Sequence, residues 1–200
     1  MKLEMFFDYL CPYCYLTFHE FKEILPDYPR LSVIWRPCEV RPRPELRATA
    51  WEGAPKWLTE LKPRIDQAGL LPINRPFSSG NYSDMAIQGL LCLEEQGADI
   101  MRYNAAVFAA VFSKGMDIEN LEVLCDCAAD AGGNIDAFRQ AIISETYKKK
   151  QLELNQYAWR ENALDSVPSF RLGDARLNAV YSVGVLKSQL ANFLDRHVSR

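Results

Sequence analysis

Hydrophobic and polar positions change their period twice along this chain, from strand-like to helical and back again. Leu3 to Phe7 is an apolar run that predicts a strand. A helix is predicted from Pro12 to about Leu25, with Pro12 at the first helical position, where its missing N–H costs nothing and its fixed φ suits the helix. Past the turn at Asp27-Tyr28-Pro29-Arg30, the β-rich run Leu31 to Arg36 predicts a second strand. Strand, helix and strand in this order imply a right-handed parallel βαβ unit. Arg41 to Pro44 then reads as an extended linker, because Pro42 and Pro44 suit neither a helix nor a central strand.

From Ala54 to about Leu164 the alternating pattern is gone and apolar residues recur at helical spacing. Pro55 to Ala68 predicts one helix, closed by Gly69. Ser83 caps a second that carries Met85, Ile87, Leu90, Leu91 and Cys92 to Gly97. Ile100, Tyr103, Val107, Phe108, Val111 and Phe112 give a third its apolar face, and Leu121, Leu124, Cys125 and Ala128 a fourth, which ends at Gly132-Gly133. Asn134 caps a long helix containing Ile135, Phe138 and Ile142 and extending to Asn162, with Lys148-Lys149-Lys150 as a solvated face.

The last segment returns to strands. Asp165 to Gly173 predicts one, with Pro168 near its start, and Arg176 to Tyr181 a second, joined through Gly173-Asp174 as an antiparallel hairpin. Val185, Leu186, Leu190, Phe193, Leu194 and Val198 mark an amphipathic C-terminal helix. The order βαβ, helical block, ββα describes an α/β chain with a thioredoxin-like core and an all-helical insertion. Residues 1–40 and 165–200 would form the discontinuous core, and 41–164 the insertion, its last helix leading back.

The chemistry concentrates at Cys11-Pro12-Tyr13-Cys14, where the first strand turns into the first helix. Cys11 falls at the helix N-cap, facing unpaired backbone N–H groups and the positive end of the helix dipole. A thiolate is favoured there, which predicts a Cys11 pKa below the ~8.5 of a free cysteine. Cys14 lies one turn deeper, near enough to pair with Cys11, better shielded and less acidic. Structural zinc would need a second such pair, and Cys38, Cys92, Cys125 and Cys127 supply none; His19 and His197 are no ligand pair in sequence. Cys92 and Cys125 sit on apolar stripes as small hydrophobes, Cys125 and Cys127 point in different directions on their helix, and Cys38 reads as a buried structural thiol. A redox dithiol is the reading that uses the motif.

A formal net charge of −3 with scattered charges disfavours a nucleic-acid or anionic-membrane partner. The N-terminus carries Glu4 and Asp8 and no long apolar stretch, so no secretory signal is expected there, and no run is long enough to span a bilayer. The expected location is the cytoplasm, where thiols are kept reduced.

Cys-Pro-Tyr-Cys after the first strand, the helical block, and Ser166-Val167-Pro168-Ser169-Phe170 before a hairpin resemble the DsbA-like thioredoxin superfamily. Val107-Phe108 through Phe112-Ser113-Lys114-Gly115-Met116-Asp117-Ile118, with the helix that follows, resembles the insertion of its cytosolic FrnE-like dithiol oxidoreductases. The resemblance covers nearly the whole chain. It implies that Pro168 is the family's cis-proline beside the active-site sulfurs, with the Val167 N–H and C=O paired to a substrate backbone. It implies thiol–disulfide exchange through Cys11 and Cys14, with Pro12 and Tyr13 framing the substrate, no cofactor beyond the Cys11–Cys14 disulfide, and no metal. Tyr13 stands where strongly oxidising relatives carry histidine, which places the expected potential between roughly −270 and −120 mV. The substrate would be a thiol or disulfide, with glutathione as a small-thiol partner.

Two other readings remain. The fold also resembles kappa-class glutathione transferases and 2-hydroxychromene-2-carboxylate isomerases, which usually carry a serine where Cys11 stands. Asn74, Arg75 and Asn81 are candidates to line a glutathione site there. A non-catalytic peptide-binding module would use the two cysteines only as a structural bridge. Fold alone does not separate the three.

Overall fold

A computed structural model describes residues 1–44, 54–70, 82–179 and 185–198, of which 54–58 are described by backbone alone. Four strands, β1 (Lys2–Phe7), β2 (Ser32–Pro37), β3 (Ser169–Leu172) and β4 (Ala175–Asn178), make one sheet in the order β2-β1-β3-β4. The β1–β2 pair is parallel, with Met5 opposite Trp35, and its crossover is α1 (Pro12–Ile24). The other pairings are antiparallel, with Met5 opposite Phe170 and Arg171 opposite Arg176. Gly173 makes the turn between β3 and β4 at φ +59°, a conformation that L side chains rarely adopt. This is the α/β thioredoxin-like arrangement that the order of elements implied.

Between β2 and β3 lie α2 (Ala54–Gln67), α3 (Asp84–Gln96), α4 (Ile100–Phe112), α5 (Leu121–Asp130), α6 (Ile135–Ile143) and α7 (Lys148–Gln156); α8 (Lys187–His197) follows the sheet. Asp99, Asn120 and Asn134 cap α4, α5 and α6 by accepting from the backbone N–H of Arg102, Glu122 and Ala137. Gly97 closes α3 at φ +70°. No helix among the described residues is long and apolar enough to cross a membrane.

Five expectations need correction. The helix drawn from Asn134 to Asn162 is interrupted: α6 stops at Ile143, Glu145 takes φ +50°, and α7 ends in a π-helical turn, Tyr157–Glu161. The Ser144 hydroxyl donates to Gln140 O (2.7 Å) and bonds to the Thr146 hydroxyl, so local side chains compete with the helix ladder there. Lys148 leaves the solvated face, pairing with buried Asp84 (3.1 Å), while Lys149 remains in water. Ser83 stands at the α3 N-cap but makes no capping bond. Strand β3 begins only after Pro168, which has no N–H to give the ladder, and Arg41 to Pro44 is bent, with a cis Arg43–Pro44 bond.

Alternation along β1 sends its side chains to two different surroundings. Leu3, Met5 and Phe7 share a face with Trp35 and Phe170, against which α1 lays Phe18 and Phe21, with ring centroids 5.5–6.3 Å apart. Glu4 and Phe6 face the π-helical turn. There the Glu4 carboxylate receives Arg36 Nε (2.7 Å), Arg171 Nε (2.6 Å) and the Tyr157 hydroxyl (3.0 Å). Both guanidinium groups lie over the Tyr157 ring. Burial acts to raise the Glu4 carboxyl, but these hydrogen bonds outweigh it and hold the group below the usual carboxylate range.

Two outcomes follow from this packing. A Cβ at Gly89 of α3 would stand 2.8 Å from the Phe138 ring and closer still to the Tyr103 hydroxyl. Gly89→Ala is therefore expected to lose about 1–3 kcal/mol despite its gain in helix propensity, read as a lower urea midpoint at unchanged slope. Glu4→Gln is expected to cost about 1–3 kcal/mol at neutral pH by leaving two guanidinium groups without their carboxylate. Because the folded state lowers the Glu4 pKa, its contribution is present above the unfolded value and fades as pH falls through the folded one. The gap between wild type and Glu4→Gln should close in acid, as urea denaturation across a pH series would show.

Candidate active site

The site is assembled where β1 ends and α1 begins. Cys11 is the N-cap of α1, with extended backbone (φ −92°, ψ 117°), and Pro12 occupies the first turn. The Cys11 N–H donates to Asp8 O (3.1 Å), and Tyr15 N–H returns to Cys11 O (3.1 Å). This turn leaves the Cys11 side chain partly exposed at the helix end, while Cys14 is fully buried behind it. All six cysteines are free thiols.

The two thiols are hydrogen-bonded to each other. Burial foremost, then the bond to Cys11 and its charge, push the Cys14 thiol well up, while the Asp8 backbone N–H works in the opposite direction. The Val167–Pro168 bond is cis, both residues are buried, and the Cys11 thiol donates to Val167 O at 3.7 Å. Cys11, Cys14, Pro12, Val167 and Pro168 thus share one place although the last two lie far along the chain. Tyr13 leans the other way, packing on the small apolar cluster of Leu16, Leu61 and Ile65 that seats α2 against α1. Arg64 of α2 reinforces that seat, donating to Glu20 (2.7 Å) and to Val185 O (2.9 Å). Asn74, Arg75 and Asn81 lie outside the described residues.

Sequence reasoning gave no site role to Asp8. The structure buries its side chain (1% exposed) at the base of the thiol loop, where Leu10 N–H donates to Oδ1 (3.0 Å) and Val40 N–H to Oδ2 (2.9 Å). The available signal was an acidic residue inside an otherwise apolar stretch, three positions before Cys11. Cys38 also comes close. Its N–H donates to Phe7 O (2.8 Å), its side chain is fully buried, and burial followed by the charges of Asp8 and Cys11 pushes its thiol well up. His19 is pulled down to about 4, by burial first and then by Lys22, with its ring against Tyr15 and Phe18. It is a neutral packing residue at physiological pH.

Exposure divides the thiols one against five. Limited alkylation of the reduced protein with iodoacetamide is expected to label Cys11 first. Cys14, Cys38, Cys92, Cys125 and Cys127 should follow only on unfolding, a sequence that peptide mass spectrometry resolves.

Among curated proteins, the chain is 28% identical over 178 residues to the uncharacterized protein YwbO of Bacillus subtilis, covering 87% of this chain and 88% of that one. Among solved structures it is similar to a probable DsbA oxidoreductase, SCO1869, of Streptomyces coelicolor (16% identity, TM-score 0.78, 100% and 92% of the two chains). It is also similar to a 2-hydroxychromene-2-carboxylate isomerase (21%, 0.73, 98% and 94%). A third likeness is to the cytosolic disulfide reductase DsbM of Pseudomonas aeruginosa, solved with GSH (17%, 0.65, 88% and 88%). At these identities the solved structures speak for the fold. Residues 2–191 match the DSBA-like thioredoxin domain, and the chain belongs to that family.

Proposed function

We propose that this chain is a thiol–disulfide oxidoreductase in which Cys11 is the nucleophile and Cys14 the resolving thiol. The observation that carries the reading is the pairing of a partly exposed thiol at a helix N-cap with a fully buried thiol hydrogen-bonded behind it. The first thiol is open to a partner at the helix end, and the second is shielded from competing reagents. The Cys11 thiolate attacks a substrate disulfide, forming a mixed disulfide and releasing one substrate thiolate. Cys14 then attacks Cys11 Sγ, closing the Cys11–Cys14 bond and releasing the other. Two electrons pass to the substrate, and the reverse sequence oxidises a dithiol.

The substrate lies over Cys11 and Pro12, its backbone alongside Val167 and Pro168. The 3.7 Å approach of Cys11 to the Val167 carbonyl supports that placement. Glutathione is the small thiol partner and the cytoplasm the location, as in the FrnE-like branch. The glutathione-bound, cytosolic DsbM shares the fold, which supports both.

The experiment is a redox titration of the wild type against a glutathione series, with Cys14→Ala run alongside. A single two-electron transition is expected, with a mixed disulfide trapped on Cys11 in Cys14→Ala and no turnover in Cys11→Ser. Absence of both transition and adduct would sink the reading. The likeness to 2-hydroxychromene-2-carboxylate isomerase favours one competitor, a glutathione-dependent isomerase or transferase. That activity would require glutathione and survive Cys14→Ala unchanged. A dithiol that never exchanges would leave a peptide-binding module with a structural bridge.

A further inference from the structure

The segment leaving β2 brings an apolar side chain to the mouth of the thiol loop. Glu39 turns its carboxylate inward, where Oε2 accepts from Gln151 and from Asn155 (2.9 Å) of α7. The next residue, Val40, stays 46% exposed. Its N–H donates to Asp8 Oδ2 (2.9 Å), while Asp8 Oδ1 holds Leu10 N–H (3.0 Å) and Asp8 O accepts from Cys11 N–H (3.1 Å). Asp8 therefore joins Val40 to the nucleophile through two hydrogen bonds.

Single exposed apolar residues are ordinary on a protein surface, and Met1, Met116, Ile143 and Leu152 are others among the described residues. Val40 alone among them is hydrogen-bonded to the residue that holds Cys11. The peptide leading into it is fixed as well, with Glu39 N–H donating to Asn155 Oδ1 (2.8 Å) and Glu39 O accepting from Trp159 Nε1 (2.9 Å). That last contact lays the indole against the Glu39–Val40 peptide, and Trp159 is itself only half-buried. Trp159 belongs to the π-helical turn Tyr157–Glu161, a kind of irregularity that recurs at functional sites. Pro12, next to Cys11, and Pro42, two residues past Val40, are also half-buried. An apolar surface held this way takes up a partner's side chain with little ordering left to do.

The sheet order places this surface relative to the substrate. In β2-β1-β3-β4, the thiol loop follows the end of β1, Val167 precedes β3 on one side of it, and Val40 follows β2 on the other. Neighbouring strands lie about 4.8 Å apart and an extended chain advances about 3.3 Å per residue. A polypeptide with its backbone alongside Val167 and its cysteine at Cys11 thus reaches Val40 with a side chain one or two residues from that cysteine.

We propose that Val40 and the Trp159 indole form a subsite for an aliphatic or aromatic side chain beside the reacting cysteine of a polypeptide disulfide. The inference rests on the dithiol reading above and names its substrate class. Glutathione has a glycine and a γ-glutamyl group beside its cysteine, offers nothing apolar to this surface, and needs only Cys11 and the Val167 backbone.

The probes are two single-cysteine hexapeptides as disulfide-linked homodimers, one with isoleucine on both sides of the cysteine and one with serine there. One turnover with reduced protein breaks the peptide S–S bond, closes Cys11–Cys14 and releases two peptide thiols. With each rate divided by that of free dithiothreitol, wild type is expected to favour the isoleucine dimer about tenfold, the low end of discrimination by an apolar group. Val40→Ser is expected to lose that preference while still reducing glutathione disulfide at the wild-type rate. Ile143→Ser, at an exposed position of α6, should keep it. In Cys14→Ala, trapping the isoleucine peptide on Cys11 should shift tryptophan emission, and the shift should vanish in Trp159→Phe. A wild type without preference, a preference that survives Val40→Ser, or an emission shift that survives Trp159→Phe would overturn the proposal and leave the dithiol intact. Failure of every disulfide, glutathione disulfide included, to oxidise the Cys11–Cys14 pair would instead count against the dithiol reading. Val40 bonds to Asp8 through its backbone N–H, which serine also carries; should Val40→Ser fail to fold, Val40→Ala carries the same test.

Discussion

The Asp8 carboxylate is the contact on which the site's geometry depends. It accepts one N–H from Leu10, on the loop that presents Cys11, and one from Val40, on the segment leaving β2. Hydrogen bonds to an ionised acceptor are roughly twice as strong as neutral ones, and burial shields these from competing water. The Asp8 carbonyl and N–H are engaged as well, with Cys11 N–H and with the Cys14 thiol. One residue therefore sets the height of the exposed thiol, the depth of the buried one, and the distance of both from β2.

Aromatic packing ties the helical insertion to the same point. Phe108 of α4 lies within 5.3–6.2 Å of the rings of Phe7, Tyr9, Tyr15 and Phe18. Tyr9 in turn donates to Asn104 of α4 (2.6 Å), and Tyr15 bonds to Ser113 at that helix's end (3.1 Å). The helix beginning at Cys11 thus rests on α4 along one side and on the sheet along another. Among the described residues, its contact with α2 is built on Leu16, Leu61 and Ile65 and the Arg64–Glu20 pair.

What could be read in the sequence was local in origin. The apolar run of β1, Pro12 at the first helical turn, Asn134 as a cap and Gly97 as a stop are decided by neighbours in sequence, and each stands where the pattern put it. The break between α6 and α7 escaped the pattern because no glycine or proline marks it; hydroxyl competition at Ser144 and the reach of Lys148 to Asp84 decide it. Asp8 escaped for a different reason. A buried charge and a solvated one look alike in a sequence, and only the partners tell them apart. The meeting of Cys11 with Val167, 156 residues away, came from resemblance, since no periodic pattern encodes it.

The carboxylate of Glu4 has a consequence for how the chain comes together in time. It is shared by Arg36, 32 residues on, and Arg171, 167 residues on. A polypeptide emerging in order can therefore form β1, α1 and β2 early, but the central strand keeps one open edge until β3 appears. The helical segment between them has to be accommodated while that edge is uncovered and Glu4 holds a single guanidinium. Only when Arg171 arrives are the carboxylate doubly paired and the sheet closed along β1, so the two ends of the chain complete the platform that carries the thiols.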